Sequence, residues 1–273
     1  MFWYNKAMAM PKDLILIRHG HSEGNLAVET AKRGDNSFYT PEFRERPGHQ
    51  WRLTKDGCQQ AAATGKWLQK NLGSDFDRYY VSPYIRTRET AGLLDIHDAE
   101  WRISQRLRER DWGDIDAIPL VEFKKIFPHN ALRKEIDALY WRPPGGESIA
   151  DVRLRVRSFF DTLHRECADK KVVVVTHGEF MWAMRAELEY LNDEQWIAAD
   201  KDPKMKIYNT QVLHYSKTDP SGQDHTHYLG WVRSVCPWKK GIDSGWQRIT
   251  RKKYTSQELL KQVNKIEPVN RFA

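Results

Sequence analysis

Cysteine is scarce: Cys58, Cys167 and Cys236 are the only three in 273 residues, widely separated and without a C-x-x-C pair. Neither a disulfide framework nor a zinc knot is expected from them. They fit a reducing compartment, and we expect a cytoplasmic protein. Long hydrophobic runs are also missing. No stretch approaches the roughly 18 consecutive apolar residues that cross a bilayer, so no membrane partner is expected. Met1 to Asp13 has no apolar run of signal-peptide length before a small-residue cleavage site. Internal repeats and low-complexity tracts are absent as well. With 40% hydrophobic residues the chain can still bury a sizeable core, which excludes disorder as its global state.

The net charge of +7 is unevenly spread. From Lys217 to Ala273 there are 11 basic and 5 acidic residues, so six of the seven net charges lie in this segment and the body before it is close to neutral. We divide the chain into a main domain, 1–216, and a basic extension, 217–273, packed on it. A basic tail can dock on nucleic acid or acidic lipid. Here Lys and Arg alternate with Trp231, Trp238 and Trp246, which reads as the surface of a packed extension, and nucleic acid is not an expected partner.

Asp13 to Ile17 (D-L-I-L-I) reads as a short buried strand stopped by Arg18-His19-Gly20. Thr54 caps a helix to Leu72, Tyr79 to Val81 is a second strand, and Ser82-Pro83 opens a helix to about Leu94. Arg102 to Arg142 has no single period, although Leu120–Phe127 and Ala131–Tyr140 can each be helical, and it reads as an insertion over the sheet. Ser148 to Cys167 carries Val152, Val156, Phe159, Phe160 and Leu163 on one helical face. Val172 to Val175 is the strongest buried-strand signal; it runs into Thr176-His177-Gly178 and a helix to about Leu191. Strands are then expected through Leu213 and Tyr215 and over Tyr228–Val235, and Thr255 to Glu258 is a capping box for a helix from Leu259 to Ile266. Apolar strands alternating with helices indicate an α/β domain with a largely parallel central sheet.

In such a sheet, ligands collect beyond the carboxyl ends of the strands. Two strands here end alike, in Arg18-His19-Gly20 and Thr176-His177-Gly178, which projects two histidines toward one edge. Either alone reads as a hydrogen-bonded histidine at a strand end; together, with an arginine beside one, they read as a site. Arg86, at the start of the helix after another strand, adds a guanidinium suited to phosphate. Arg88 reads as a solvated side chain. Glu109, in Leu107-Arg108-Glu109-Arg110-Asp111-Trp112-Gly113, supplies a carboxyl.

Taken together, these residues resemble the histidine phosphatase superfamily, in the branch that includes cofactor-dependent phosphoglycerate mutase. Arg18, His19, Gly20, Ser22 and Asn25 match that family's R-H-G-x-S-x-x-N. Leu53-Thr54 with Gly57 and Gln60-Ala61, the S-P-x-x-R-T-x-x-T-A segment from Ser82 to Ala91, and L-x-E-x-x-x-G from Leu107 to Gly113 follow. Gly145-Gly146-Glu147-Ser148 with Asp151 and Arg155-Val156, then Val175-Thr176-His177-Gly178, complete six motifs in family order over about Asp13 to Tyr215. The resemblance implies a three-layer α/β/α, phosphoglycerate mutase-like fold and phosphoryl chemistry without a cofactor or metal. It implies that His19 becomes phosphohistidine, that Arg18, Arg86 and His177 surround the phosphoryl oxygens, and that Glu109 is the general acid and base. Asn25, Ser22 and Gly178 are the expected substrate contacts. The implied partner is a phosphorylated small molecule, with homodimerisation left open.

A competing metal reading rests on His19-Gly20-His21 and His225-Thr226-His227, both H-x-H, the second placed on one strand face. Arg18 opposes it, because a permanent cation beside the ligand set repels a divalent ion. Within the family, a mutase needs added cations for a second phosphate, yet Asp111, Asp114 and Asp116 are acidic and the adjacent arginine pair expected of a mutase further along is absent. Lys124-Lys125 and Arg133-Lys134 lie on expected helices where solvent exposure accounts for them. The reading is therefore a phosphatase, with the mutase and a non-catalytic phospho-ligand regulator as alternatives. Specificity is assigned to the Phe38–Trp51 and Trp112–Trp141 segments.

Overall fold

The computed structural model describes residues 9–267, so the reading of the first eight residues and the last six residues of the extension lie outside it. The chain runs β1 (Asp13–Arg18), α1 (Glu23–Ala31), α2 (Pro41–Glu45), α3 (Lys55–Leu72), β2 (Arg78–Val81), α4 (Ile85–Leu93) and β3 (Trp101–Ile103). It continues through α5 (Leu120–Ile126), α6 (Pro128–Ile136), α7 (Ile149–Glu166), β4 (Lys171–Thr176), α8 (Gly178–Glu189) and α9 (Asp193–Lys201). β5 (Val212–Ser216), β6 (Trp231–Val235), β7 (Asp243–Arg248) and α10 (Ser256–Val263) complete the described elements.

All seven strands form one sheet in the order β3-β2-β4-β1-β5-β6-β7. The β3-β2-β4-β1 half is parallel, and the three pairings beyond β1 are antiparallel. Five strands consequently point the same way, with β5 and β7 reversed. The extension is continuous with this sheet, since β6 and β7 hydrogen-bond onward from β5.

The alternation of side chains along a strand divides the core. Leu14, Leu16, Val172 and Val174 face α7 and α8, where they pack with Val156, Phe159, Phe180 and Met184. Ile15, Ile17, Val173 and Val175 face the other way, onto Leu68 of α3 and Ala91 of α4. Strands apolar on both faces are thus covered by helices on both faces, giving the three-layer α/β/α arrangement.

Register sets the site. Ile17 pairs with Val175 and Arg18 with Thr176, so the two R-H-G and T-H-G ends finish level. Val81 pairs with Val175 on the other side, which brings Ser82 to the same edge.

Several elements differ from the sequence reading. β7 was not expected: D-S-G-W-Q-R is an edge strand with mostly exposed residues and Gly245 at φ 62°, so it carries no apolar period. His225 and His227 lie in the β5–β6 connection and not on a strand; His225 makes an isolated bridge with Thr218 and its Nδ1 meets the Thr218 hydroxyl at 3.1 Å. α4 begins at Ile85, two residues after Pro83, with Tyr84 as its N-cap.

Candidate active site

His19 leaves β1 into a turn whose backbone is pressed against α3. A Cβ on Gly20 would stand 2.5 Å from the Gly57 carbonyl oxygen, and one on Gly57 would stand 2.0 Å from the His21 carbonyl oxygen. The glycines of the R-H-G and L-T-x-x-G segments are therefore two sides of one contact, which any side chain would force open. The Gly20 N–H donates to Thr90 Oγ1 at 3.0 Å, and that hydroxyl donates to the Arg86 carbonyl at 2.7 Å, fixing α4 against the same turn.

The hydrogen bonds assign the His19 tautomer. Nδ1 lies 2.7 Å from the Gly20 carbonyl oxygen, which can only accept, so Nδ1 carries the proton. Nε2 is then the lone-pair nitrogen, and it accepts from Arg86 Nε at 3.3 Å. His19 is 2% exposed, and its pKa is held well below the ordinary histidine value by burial first and by the charges of Arg86 and Arg18 next. The imidazole is neutral at physiological pH, as a nucleophile must be.

His177, fully buried, stands with its ring centroid 5.2 Å from that of His19. Its Nε2 meets Ser82 Oγ at 2.8 Å, while its Nδ1 has no partner. Burial, again the larger cause, and Arg86 push its pKa well down. Arg18 Nη1 donates to the Ile207 carbonyl at 2.8 Å, and its buried Nε is likewise unpartnered. A Cβ on Gly178 would come within 3.3 Å of that Nε, so the glycine leaves the guanidinium room. Orphaned buried polar atoms are rare in folded proteins. Two of them here belong to residues grouped around His19.

Arg86, 6% exposed, donates from Nη1 to the Gly48 carbonyl at 2.7 Å and lies over the Tyr84 ring. Glu109 Oε1 accepts from the backbone N–H groups of Arg110 at 2.9 Å and Phe180 at 3.3 Å, which seats the carboxylate at the amino end of α8. Its loop is braced from below. Glu147 accepts from Arg108, Arg155 and the Asp111 N–H, and Arg155 donates to the carbonyls of Arg106, Arg108 and Glu109. The G-G-E-S and Arg155 motifs are thus supports for the Glu109 loop.

Asn25 and Ser22 have different parts. Ser22 is the N-cap of α1, 2% exposed, its hydroxyl donating to Asn25 Oδ1 and accepting from the Asn25 N–H. That hydroxyl caps α1 and gives its proton to Asn25 Oδ1. Asn25 Oδ1 also accepts from Asn209 Nδ2 at 2.9 Å, which leaves the Asn25 amide NH₂ as its available donor. Asn209, missed in the sequence, also donates to the His19 carbonyl at 3.2 Å and is itself held by the Trp238 indole N–H at 2.7 Å. The signal lay in Y-N-T-Q before β5, but nothing in one sequence links it to residue 19. His21 turns away to Thr54 and Glu29.

The two segments assigned to specificity touch each other: Arg44 makes a bidentate pair with Glu122 at 2.8 and 2.7 Å, and within the first segment Phe43 stacks on Trp51. Lys124, Lys125 and Arg133 are exposed as expected. Lys134 is not, and this is a correction. It is half-buried, its ammonium 5.3–5.9 Å from the ring centroids of Trp112, Phe123 and Trp141. Arg88 is exposed; Glu89 pairs with Arg52 and the Leu53 N–H instead.

Comparison with known proteins agrees with this geometry. The family model of the histidine phosphatase superfamily (branch 1) matches residues 14–212. The chain belongs to that superfamily. Among its relatives, the phosphoglycerate mutase-like protein AT74 of Arabidopsis thaliana is 32% identical over 62% of this chain and 55% of its own length, so the chain spans about half of that protein. A 2,3-bisphosphoglycerate-dependent phosphoglycerate mutase of Bartonella henselae is 30% identical over 77% of this chain and 98% of its own. Among solved structures, the alpha-ribazole phosphatase of Shigella flexneri superposes with a TM-score of 0.61 at 19% identity, over 80% of this chain and 96% of that one. A mycobacterial glucosyl-3-phosphoglycerate phosphatase complexed with VO₃ gives 0.58 at 25% identity, over 75% and 91%. Among the described residues, no helix is long and apolar enough to cross a membrane.

The histidine phosphatase site carries a stability signature. An unfolded histidine takes up a proton below about pH 6.5. Buried His177 does not, so its contribution is complete above that pH and is lost as pH falls below it, down to the depressed folded pKa. The slope is about 1 kcal/mol per pH unit. Denaturant unfolding of His177→Gln between pH 6.5 and 5 should fall less steeply than wild type by that amount. Equal slopes would mean that His177 titrates in the folded protein.

Proposed function

We propose that the protein is a phosphatase that hydrolyses a phosphate monoester through a phosphohistidine on His19. The observation that carries this reading is the His19 Nε2 lone pair, fixed by the Nδ1–H bond to Gly20, facing Arg86 Nε and with the His177 ring 5.2 Å away, while Arg18 Nε and His177 Nδ1 are buried without partners. Nε2 attacks phosphorus as the P–O bond to the leaving alcohol breaks, and the Glu109 carboxyl gives its proton to that oxygen. Water then attacks phosphorus from the vacated side. Glu109 takes one proton from it, the P–N bond breaks, and phosphate leaves with His19 restored.

Arg18, Arg86 and His177, with the Asn25 amide, meet the charge on the three equatorial oxygens, which is where preorganised donors act most strongly. Buried donors that already lack partners need no reorganisation when the phosphoryl group arrives. The substrate is a phosphorylated small molecule, in keeping with the alpha-ribazole phosphatase and glucosyl-3-phosphoglycerate phosphatase that share the fold. We place the protein in the cytoplasm, in keeping with three free cysteines.

A second reading, phosphoglycerate mutase, is favoured by one observation: the caged Lys134 ammonium together with buried Arg110 puts two cations near the site. Against it, Asp116 stands at Gly48 within the field of Arg86, where a second phosphate would meet its carboxylate.

Activity should survive exhaustive chelation, since fixed cations supply the positive field, and vanadate should inhibit by occupying the phosphoryl position. Loss on chelation with recovery on zinc or magnesium would replace this mechanism by a metal-dependent one.

A further inference from the structure

Glu179 is the second residue of α8, placed between Gly178, which borders Arg18 Nε, and Phe180, whose N–H holds Glu109. Its side chain is 33% exposed and lies one residue before the N–H that holds Glu109, the proposed proton donor to the leaving group. The nearest cation is Arg110, whose Nη1 lies 3.9 Å from Glu179 Oε2. Arg110 cannot turn to greet a ligand: Nε donates to the Glu147 carbonyl at 2.7 Å, Nη2 to the Trp141 carbonyl at 3.1 Å, and the guanidinium stacks on Trp112 at 4.5 Å. The one edge it has left is matched by the Glu179 carboxylate. Lys134 is held on its three rings within the same field.

The charged groups that face Glu179 are Glu109 and Arg110 from the loop, Lys134 from α6, Asp200 from α9 and Arg18 from the end of β1. Asp116 and Asp111, together with Glu109, add negative charge around Tyr84. The phosphoryl end of the cleft is thus cationic, and the leaving-group end carries more carboxyl groups than cations. We propose that Glu179 is a specificity-determining residue that excludes leaving alcohols bearing a second anion, so that the substrates are phosphate monoesters of neutral or cationic alcohols. This inference rests on the phosphatase reading above.

Burial first, and Glu109 next, raise the Glu179 pKa to about 7. The helix amino end would favour its charge, so the shift means that desolvation and like charge win. Its selectivity is therefore strongest above neutral pH and relaxes as the carboxyl protonates below it.

The test compares kcat/KM for phenyl phosphate and 3-carboxyphenyl phosphate, whose phenols are close in acidity, in wild type and Glu179→Gln at pH 6 and 8. The phosphate group's own titration is common to both esters and cancels in their ratio. Wild type should prefer phenyl phosphate, whose leaving phenol carries no second anion, by roughly tenfold or more at pH 8 and by less at pH 6. Glu179→Gln should reduce the preference at pH 8 by about tenfold and weaken its dependence on pH, leaving only the part contributed by Asp116, whose carboxyl pKa is raised by burial to about 6. A preference in the variant equal to wild type at both pH values would overturn the role of Glu179 while leaving the phosphatase reading intact. If wild type hydrolyses neither ester, the phosphatase reading fails, and this inference with it.

Discussion

His19→Ala is expected to abolish turnover, by a factor on the order of 10⁶, the scale seen when a nucleophile is removed from residues that act as a unit. The variant keeps Arg18, Arg86 and His177, and the Gly20–Gly57 backbone contact does not depend on the ring. It should therefore still fold and still bind vanadate or inorganic phosphate, with affinity reduced by the lost contact alone. Stopped-flow turnover and phosphate titration on the same preparation separate the two effects. Retained turnover with an alanine at position 19 would move the nucleophile elsewhere.

The second large effect concerns Glu109. Its Oε1 is anchored by two backbone N–H groups, so the carboxyl has one defined position, and Gln can occupy it without moving the loop. Glu109→Gln should slow phosphorylation by alkyl phosphates roughly a hundredfold or more, because an alkoxide leaves only with a proton. A nitrophenolate leaves without one, so 4-nitrophenyl phosphate should lose far less. Single-turnover rates of phosphoryl transfer to the enzyme, measured on both esters, give the comparison. Equal losses would remove Glu109 as the acid and leave it a structural anchor of α8.

Much of this site was legible in the chain because strand ends are legible. Val172 to Val175 and Leu14 to Ile17 are apolar on both faces, so they had to be covered by helices on both sides, and the residues that stop them had to stand at one edge. His19 and His177 stand at those ends, Arg86 stands in the first turn of the helix after the strand beside them, and their roles are what the family resemblance implies. The capping role of Ser22 was not read in the sequence, because a capping box and a substrate contact share the same residue types. Asn209 and Trp238 act through contacts to residues about 190 and 30 positions away, respectively, which no local pattern encodes. Lys134 was misread for a different reason. On a helix of mostly exposed residues, one lysine was turned inward by three aromatic rings drawn from separate segments. β7 escaped notice because an exposed edge strand has no hydrophobic period to read.

The central claim is a phosphohistidine on His19 whose fate is water, and rapid quenching with a ³²P-labelled phosphate monoester tests it most directly. Labelled enzyme, inorganic phosphate and any phosphorylated product are followed together, with 3-phosphoglycerate and catalytic 2,3-bisphosphoglycerate supplied as the competing acceptor pair. The account predicts acid-labile, base-stable label on the His19 peptide that appears before inorganic phosphate and decays into it, with isomerisation slower than release. No label on that peptide, or label passing to phosphoglycerate faster than to water, would contradict it.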